Sequence, residues 1–417
     1  WRDCVGCVMG WSVMDRQLII EIPYRPGAGH LPPFLAGRTT EIDFFRRALH
    51  ENFISENVLV TGLRGFGKTV LVEQLKTTAE QHAWVWSGAD LSESLSLTEE
   101  RLALRLLTDA AAAVARATDD GLVAPSRSFQ GNGTFGGSQQ IDVEIFDILH
   151  SIYERAPGLP SHKLKASLGE VLTIVSDAGL NGLVLMYDEA QCLSDHAETD
   201  EYPMSMLIET VVSLQRQDRA APCMLVLSRL PDVQNALTET RTYSERMFRV
   251  LHLDHLNRDE TTAAIVEPLK TLSPLLHPSQ ALIDKAIELS GGYPYLIQLF
   301  GKELVDQLLR SGGVLAEADF PSSDAIERLD AGLFGARWSR TTDKQREFLR
   351  VLATYPHDHQ SDFSAKKVAD VSTFSNSQAS QMLQALTERG LVYRSRHGRY
   401  AFTVPMSEQM ILGRLQS

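Results

Sequence analysis

Val58-Leu59-Val60-Thr61-Gly62-Leu63-Arg64-Gly65-Phe66-Gly67-Lys68-Thr69-Val70 is the stretch that decides the fold. Its first residues form a short apolar run of the kind a buried strand makes. A glycine-rich turn follows, and Val70–Ala79 continues as a helix. Gly62 to Thr69 match the spacing G-x-x-x-x-G-K-[ST] of a phosphate-binding P-loop. Gly62, Gly65 and Gly67 let the backbone curl so that its N–H groups point inward at a phosphate chain. A helix starting near Lys68 adds the partial positive charge of its N-terminus. Lys68 is placed to reach the β- and γ-phosphates, and the Thr69 hydroxyl to ligate Mg²⁺. Arg64 either touches phosphate or extends into solvent. The stretch predicts a bound nucleoside triphosphate held by residues 62–70.

A second acidic partner belongs on a neighbouring strand. Gly182-Leu-Val-Leu-Met-Tyr187 is a continuous apolar run, as expected of a strand covered on both faces, and it ends in Asp188-Glu189. Asp188 at the strand end is the candidate Mg²⁺ ligand, directly or through water. Glu189, one residue on, is the candidate general base that polarises the attacking water. Retention of Glu189 argues for hydrolysis rather than binding alone.

The strand–helix alternation continues on both sides. Ala83–Trp86, Cys223–Leu227 and Phe248–Leu253 read as further strands. Arg38–Asn52, Leu97–Thr118, His162–Ala178 and Pro203–Gln217 read as helices. The fold class expected is α/β: a parallel sheet flanked by helices. Gly131–Gly137 is a surface loop. Residues 257–334 are helical without strands, as in a helical lid. In the tail, Asp343–Ala353, Ala365–Asp370 and Ser375–Arg389 are three helices, and Leu391–Thr403 is a hairpin turning at His397-Gly398. Three short helices and a hairpin match a winged helix-turn-helix. The third helix would present Ser375, Asn376, Ser377, Gln378 and Gln381 to a major groove, with Arg394, Arg396 and Arg399 of the wing over phosphates. The same unit can serve instead for packing or protein contacts. The expected division is an irregular segment 1–30, an ATPase domain 31–255, a helical lid 256–335 and a winged-helix domain 336–417.

With 417 residues, 43% apolar and 22% charged, the chain has the composition of a globular protein with more than one core. It shows no internal repeat, no apolar run of membrane-spanning length and no signal peptide, so a cytoplasmic location is expected. The opening at Trp1 makes Met9 or Met14 the expected start. Four cysteines suggest no disulfide framework: Cys4 and Cys7 form a lone C-x-x-C, while Cys192 and Cys223 read as packed thiols. The net charge of −13 excludes a protein that coats nucleic acid over its whole surface. From Thr341 onward ten Lys/Arg face seven Asp/Glu, a surplus of +3 that leaves −16 on the first 340 residues. A mildly basic tail on an acidic body suits a local DNA contact.

Taken together, these residues resemble the AAA+/STAND-like ATPases related to archaeal origin-recognition initiators, in particular the bacterial "AAA family ATP-binding protein" group. The likeness runs from about Gly27 to Leu415. Its carriers are Pro33-Phe-Leu-Ala-Gly-Arg-Thr-Thr-Glu-Ile42, Leu59 to Thr69, Tyr187-Asp-Glu-Ala-Gln191, Tyr243-Ser-Glu-Arg-Met-Phe248 and Gly291-Gly-Tyr-Pro294. The resemblance implies roles for otherwise mute residues. Arg38 would lie near the adenine ring, and Pro294, in the lid, near the base. Ser228 takes the sensor-one position, where Asn is more usual, to orient the γ-phosphate or the water. Tyr293-Pro-Tyr295 stands where many relatives carry a sensor-two arginine, which implies slow turnover. Arg246 would project into a neighbouring subunit's nucleotide, or else pair locally with Glu245. The function implied is a Mg²⁺-dependent ATPase whose nucleotide state governs a DNA-binding winged helix, assembling with copies of itself. The alternative is a nucleotide-gated signalling or scaffold protein whose winged helix binds a protein.

Overall fold

Apolar runs that can be covered on both faces become the strands of one sheet in the computed structural model, which describes residues 22–27, 31–51, 53–91, 98–119, 143–193, 195–216, 221–230, 247–272, 276–320, 322–355, 362–396, 398–404 and 406–416. The strands are β1 (Asn57–Thr61), β2 (Trp84–Asp90), β3 (Gly182–Asp188), β4 (Cys223–Arg229) and β5 (Phe248–His252), in the order β2-β3-β4-β1-β5 and all parallel. The central β1, β3 and β4 are buried along their whole length.

Successive side chains leave a strand on opposite faces, and the period of two sorts the core into two halves. Leu59, Leu183, Leu185, Tyr187, Leu225 and Leu227 pack on one side, against α3 (Glu99–Asp119), α4 (Val143–Arg155), α5 (Pro160–Asp177) and α6 (Pro203–Gln215). Val58, Val60, Val184, Met186, Met224 and Val226 pack on the other, against α1 (Thr39–Ala48) and α2 (Lys68–Gln81). By the same alternation, Asp188 and Ser228 fall on the α2 face.

The chain then turns fully helical, through α7 (Arg258–Lys270), α8 (Gln280–Ser290) and α9 (Pro294–Arg310). Asn257 and Glu260 close a capping box at the start of α7. A longer helical run follows: α10 (Ser322–Leu329), a π turn over Asp330–Phe334, and α11 (Gly335–Trp338). The tail consists of α12 (Asp343–Thr354), α13 (Ala365–Asp370), α14 (Asn376–Glu388), an antiparallel pair β6 (Val392–Arg396) and β7 (Arg399–Phe402), and α15 (Ser407–Gln416). The Arg414 guanidinium donates to both oxygens of Asp330, at 3.0 and 2.6 Å, and ties α15 to the π turn.

Four differences from the sequence expectations have physical causes. The first helix starts at Thr39 rather than Arg38, because Gly37 and Arg38 both stand in the left-handed region, at φ 66° and 65°. The second strand extends to Asp90, beyond Trp86. Gly88 hides that extension in the sequence, yet it is required there: a Cβ would lie 1.7 Å from the Met186 carbonyl oxygen of β3. α4 and α15 were not expected; on α4 the apolar pattern is diluted by the exposed Val143 and Ile148. Within the segment expected to be irregular, Tyr24 is 2% exposed, and its hydroxyl donates to the Ile265 carbonyl of α7. Cys4, Cys7, the Gly131–Gly137 loop, Tyr243–Arg246 and His397 lie outside the described residues. Cys223 is buried, as expected of a packed thiol, and Cys192 is half-buried.

Candidate nucleotide-binding site

The loop between β1 and α2 has its glycines where the backbone demands them. Gly65 and Gly67 take φ 85° and 82°, and Gly67 is the residue preceding the first turn of α2. A Cβ on Gly65 would also meet the Tyr293 ring at 2.8 Å. The Lys68 ammonium donates to the carbonyls of Gly62, at 2.8 Å, and Leu63, at 3.2 Å. Burial pulls its pKa below the ordinary lysine value, while Asp188 and Glu189 act in the opposite direction. Leu63 and Phe66 are buried, Val70 is half-buried, and Arg64 is exposed.

The acids converge on this loop from β3. Thr69 Oγ1 lies 3.4 Å from Asp188 Oδ2, and the Glu189 amide donates to Asp188 Oδ1 at 2.7 Å. One carboxylate oxygen is thus fixed by backbone, and the other is turned toward the threonine. Glu189 itself stands at φ 52°, a left-handed conformation that a non-glycine residue adopts at a cost and that recurs at functional sites. Hydroxyl and carboxylate are hard oxygen donors, so the set fits Mg²⁺. Among the described residues no group of three His, Cys, Asp or Glu side chains converges closely enough to ligate one ion together.

Tyr187 pairs with Leu227 across β3 and β4, which sets Ser228 beside Asp188, and Ser228 is also in register with Val60 of β1. Its hydroxyl is fully buried and has no hydrogen-bond partner. The next residue, Arg229, was not anticipated: it is 1% exposed, and all three of its guanidinium nitrogens lack partners. Burial lowers its pKa to about 10.

The far side of the loop is closed by residues distant in sequence. The Tyr293 hydroxyl donates to the Arg64 carbonyl, and the Tyr295 amide to the Gly65 carbonyl at 3.2 Å. Arg38 Nη2 donates to the Phe66 carbonyl at 3.3 Å and to the Asp254 carbonyl at 2.7 Å. Phe66 and Tyr293 have ring centroids 4.8 Å apart, and His255 joins them, 4.9 Å from Phe66. Three successive loop carbonyls, at 64, 65 and 66, are therefore held from outside the loop. Pro294 occupies the first turn of α9, and it is Tyr293 beside it, given no role by the sequence, that reaches the loop. Burial and the nearby Arg64 lower the pKa of Arg337 on α11. Gly390, ahead of β6, has space for a Cβ 3.5 Å from Arg337 Nε, so the hairpin is a close neighbour of this arginine.

In the tail, Asn376, Ser377 and Gln381 are exposed. Ser375 and Gln378 are exposed as well and also have a structural role. The Ser375 hydroxyl accepts from the Gln378 amide at 3.2 Å, and the Gln378 side chain accepts from the Ser375 amide at 2.9 Å. They close the capping box of α14 and are occupied there. Arg394 is exposed and Arg399 half-buried, while Arg396 is described only as backbone paired with Arg399. Arg246 lies outside the described residues.

The family described as AAA ATPase domain matches residues 35–279, over half of the chain. A family described as Domain of unknown function (DUF8462) matches residues 331–411. No curated protein matches. Among solved structures, the Walker-type ATPase PABY2304 of Pyrococcus abyssi is similar with a TM-score of 0.53 and 16% identity, over 91% of this chain and 96% of that one. The ORC2 protein of Aeropyrum pernix, in its ADPNP–ADP complexes, is similar with a TM-score of 0.52 and 15% identity, over 94% of this chain and 98% of that one. At these identities the likeness is one of fold.

Proposed function

This chain belongs to the AAA ATPase domain family, and from that premise we propose that it is a Mg²⁺-dependent, slowly ATP-hydrolysing switch whose nucleotide state controls a DNA-binding winged helix. The proposed units are the segment 1–30, the ATPase domain 31–255, the lid 256–335 and the winged-helix domain 336–417, in a cytoplasmic protein that assembles with its own copies. The observation that carries the switch is the docking of Tyr293 on the phosphate loop, because the lid then holds the carbonyls of the same backbone whose N–H groups would meet phosphate. A shift of this loop on ligand binding would therefore be felt at Tyr293 and Tyr295 of the lid.

In the chemistry proposed, Lys68 leaves the Gly62 and Leu63 carbonyls to bind the β- and γ-phosphates. Loop amides of residues 62–70 cradle the phosphate chain, and Arg38 and Pro294 flank the base. Thr69 and Asp188 would hold Mg²⁺, which when bound draws negative charge away from the phosphate being transferred. Glu189 takes the proton of the attacking water, and Ser228 orients that water or the γ-phosphate. Arg246 would stabilise the developing charge in a neighbouring copy. On the tail, Asn376, Ser377, Gln381 and the wing arginines would meet DNA, with Ser375 and Gln378 shaping the helix start.

Steady-state ATP hydrolysis with and without duplex DNA, in wild type and Glu189→Gln, tests this reading. Turnover that rises with DNA and disappears in the variant, with ATP binding retained, is the expected result. Tight ATP binding without turnover and without response to DNA would favour the second reading, a nucleotide-gated scaffold whose tail binds a protein. That reading is favoured by one observation: the capping box engages two of the five side chains on α14 that were expected to read bases.

A further inference from the structure

Asp90 closes β2, a strand to which the sequence assigns no chemistry. It stands directly in register with Asp188 on the neighbouring parallel strand, where adjacent backbones lie about 4.8 Å apart. The two strand ends are also pinned together, because the Leu91 amide donates to the Asp188 carbonyl at 3.2 Å. Asp188, Glu189 and Glu73 of α2 place negative charge around the Asp90 carboxyl, with Arg105 opposing them. Asp90 is on the exposed rim, so its carboxylate is open to water. On the other flank of Asp188, the buried Ser228 hydroxyl has no hydrogen-bond partner among the described residues. Carboxylates and an orphaned hydroxyl on three adjacent strand ends call for a cationic, water-bearing ligand between them.

We infer that Asp90 is an outer-sphere positioning residue for the Mg²⁺ that Thr69 and Asp188 hold, accepting hydrogen bonds from waters on the ion. An indirect role is inferred because Thr69 and Asp188 already supply two protein oxygens, and among the described residues no three acidic, histidine or cysteine side chains converge on one point. Mg²⁺ suits an indirect role, because it gives up its waters reluctantly and is commonly held by one or two protein oxygens and several waters. A carboxylate that orients those waters strengthens ion binding without touching nucleotide. Among the described residues Arg105 is the cation that acts on Asp90, and it donates to both oxygens of Asp109, at 2.8 and 3.0 Å. This inference rests on the proposed Mg²⁺–nucleotide site.

The test is a binding measurement. A fluorescent ATP analogue is titrated into wild type, Asp90→Asn and Asp90→Glu over a series of Mg²⁺ concentrations and without Mg²⁺. Asp90→Asn should need roughly 10-fold more Mg²⁺ to reach half of the metal-dependent tightening. Its metal-free affinity should equal that of wild type, which also certifies the fold, and Asp90→Glu should recover part of the loss. A purely structural role would weaken binding with and without metal alike, and that outcome overturns the inference. So does a Mg²⁺ curve for Asp90→Asn that superimposes on wild type. If wild-type affinity itself ignores Mg²⁺, the metal reading of Thr69 and Asp188 fails and this inference with it.

Discussion

Arg229 carries, at the residue scale, a desolvation cost that the described residues around it do not offset. A guanidinium with no hydrogen-bond partner among the described residues, at 1% exposure, gives up hydration that those residues do not replace. Its neighbour Ser228 carries the same deficit on a smaller scale. Arg229→Met keeps the side-chain length and removes the charge. Exchanging a poorly compensated buried charge for an apolar group is often stabilising by about 1–4 kcal/mol. The melting temperature of the nucleotide-free variant should therefore rise above wild type, as thermal unfolding would show. A fall would mean that the folded chain does neutralise this charge. Asp188 is the opposite case: both of its oxygens are placed, one by the Glu189 amide and one beside Thr69. Its position could be read from the sequence, since an apolar run ending in two acids marks a strand end. The partners of its carboxylate could not.

At the scale of the element, α3 carries a buried carboxylate that makes stability depend on pH. Asp109 is 2% exposed and is paired with Arg105 one turn earlier on the same helix. Burial outweighs the arginine, so its carboxyl titrates above the usual aspartate value of about 3.9. In that window the folded chain binds more protons than the unfolded one. The contribution to stability is therefore fully present below about pH 3.9 and is lost as pH rises through the raised folded pKa. Urea unfolding at a series of pH values should show this decline superimposed on the other titrations, and Asp109→Asn should flatten it. An unaltered slope in the variant would remove Asp109 as the cause. Helix α14 was legible from the helical spacing of Ala379, Met382, Leu383 and Leu386, and its start, like those of α7 and α12, is closed by a capping box. The π turn over Asp330–Phe334 carries no such mark, since it is set by the bidentate contact with Arg414, 84 residues away in sequence.

For the molecule as a whole, one hydrophobic cluster spans the P-loop face of the sheet, α7–α9 and the tail. It joins Val60 and Leu71 to Tyr293, Phe334, Phe348, Leu383 and Ile411 without a break. A close-packed core transmits displacement instead of absorbing it. Tyr293 lies where that core meets the phosphate loop, with Arg337 and the Gly390 turn beyond it. ATP binding should accordingly change amide hydrogen exchange in the hairpin 392–402, and Tyr293→Ala should reduce that change while leaving Lys68-dependent ATP binding in place. Hairpin exchange that ignores ATP in the wild type would show that the tail does not sense the nucleotide.

The sequence by itself determined the P-loop, the acidic pair, the parallel α/β sheet and the order of helices after it. Each of these depends on local chemistry: glycines that tolerate a tight turn, apolar runs that end in charge, and a lysine and threonine opening a helix. Tertiary structure alone decided what those groups touch. Asp90 joined the site through strand register, Ser228 and Asp188 came to share a face through the two-residue period of paired strands, and Tyr293 reached the loop because α9 folds back over it. Ser375 and Gln378 cap their own helix while remaining exposed. A local pattern specifies the conformation of a segment, while proximity between segments far apart in sequence depends on how the complete core packs.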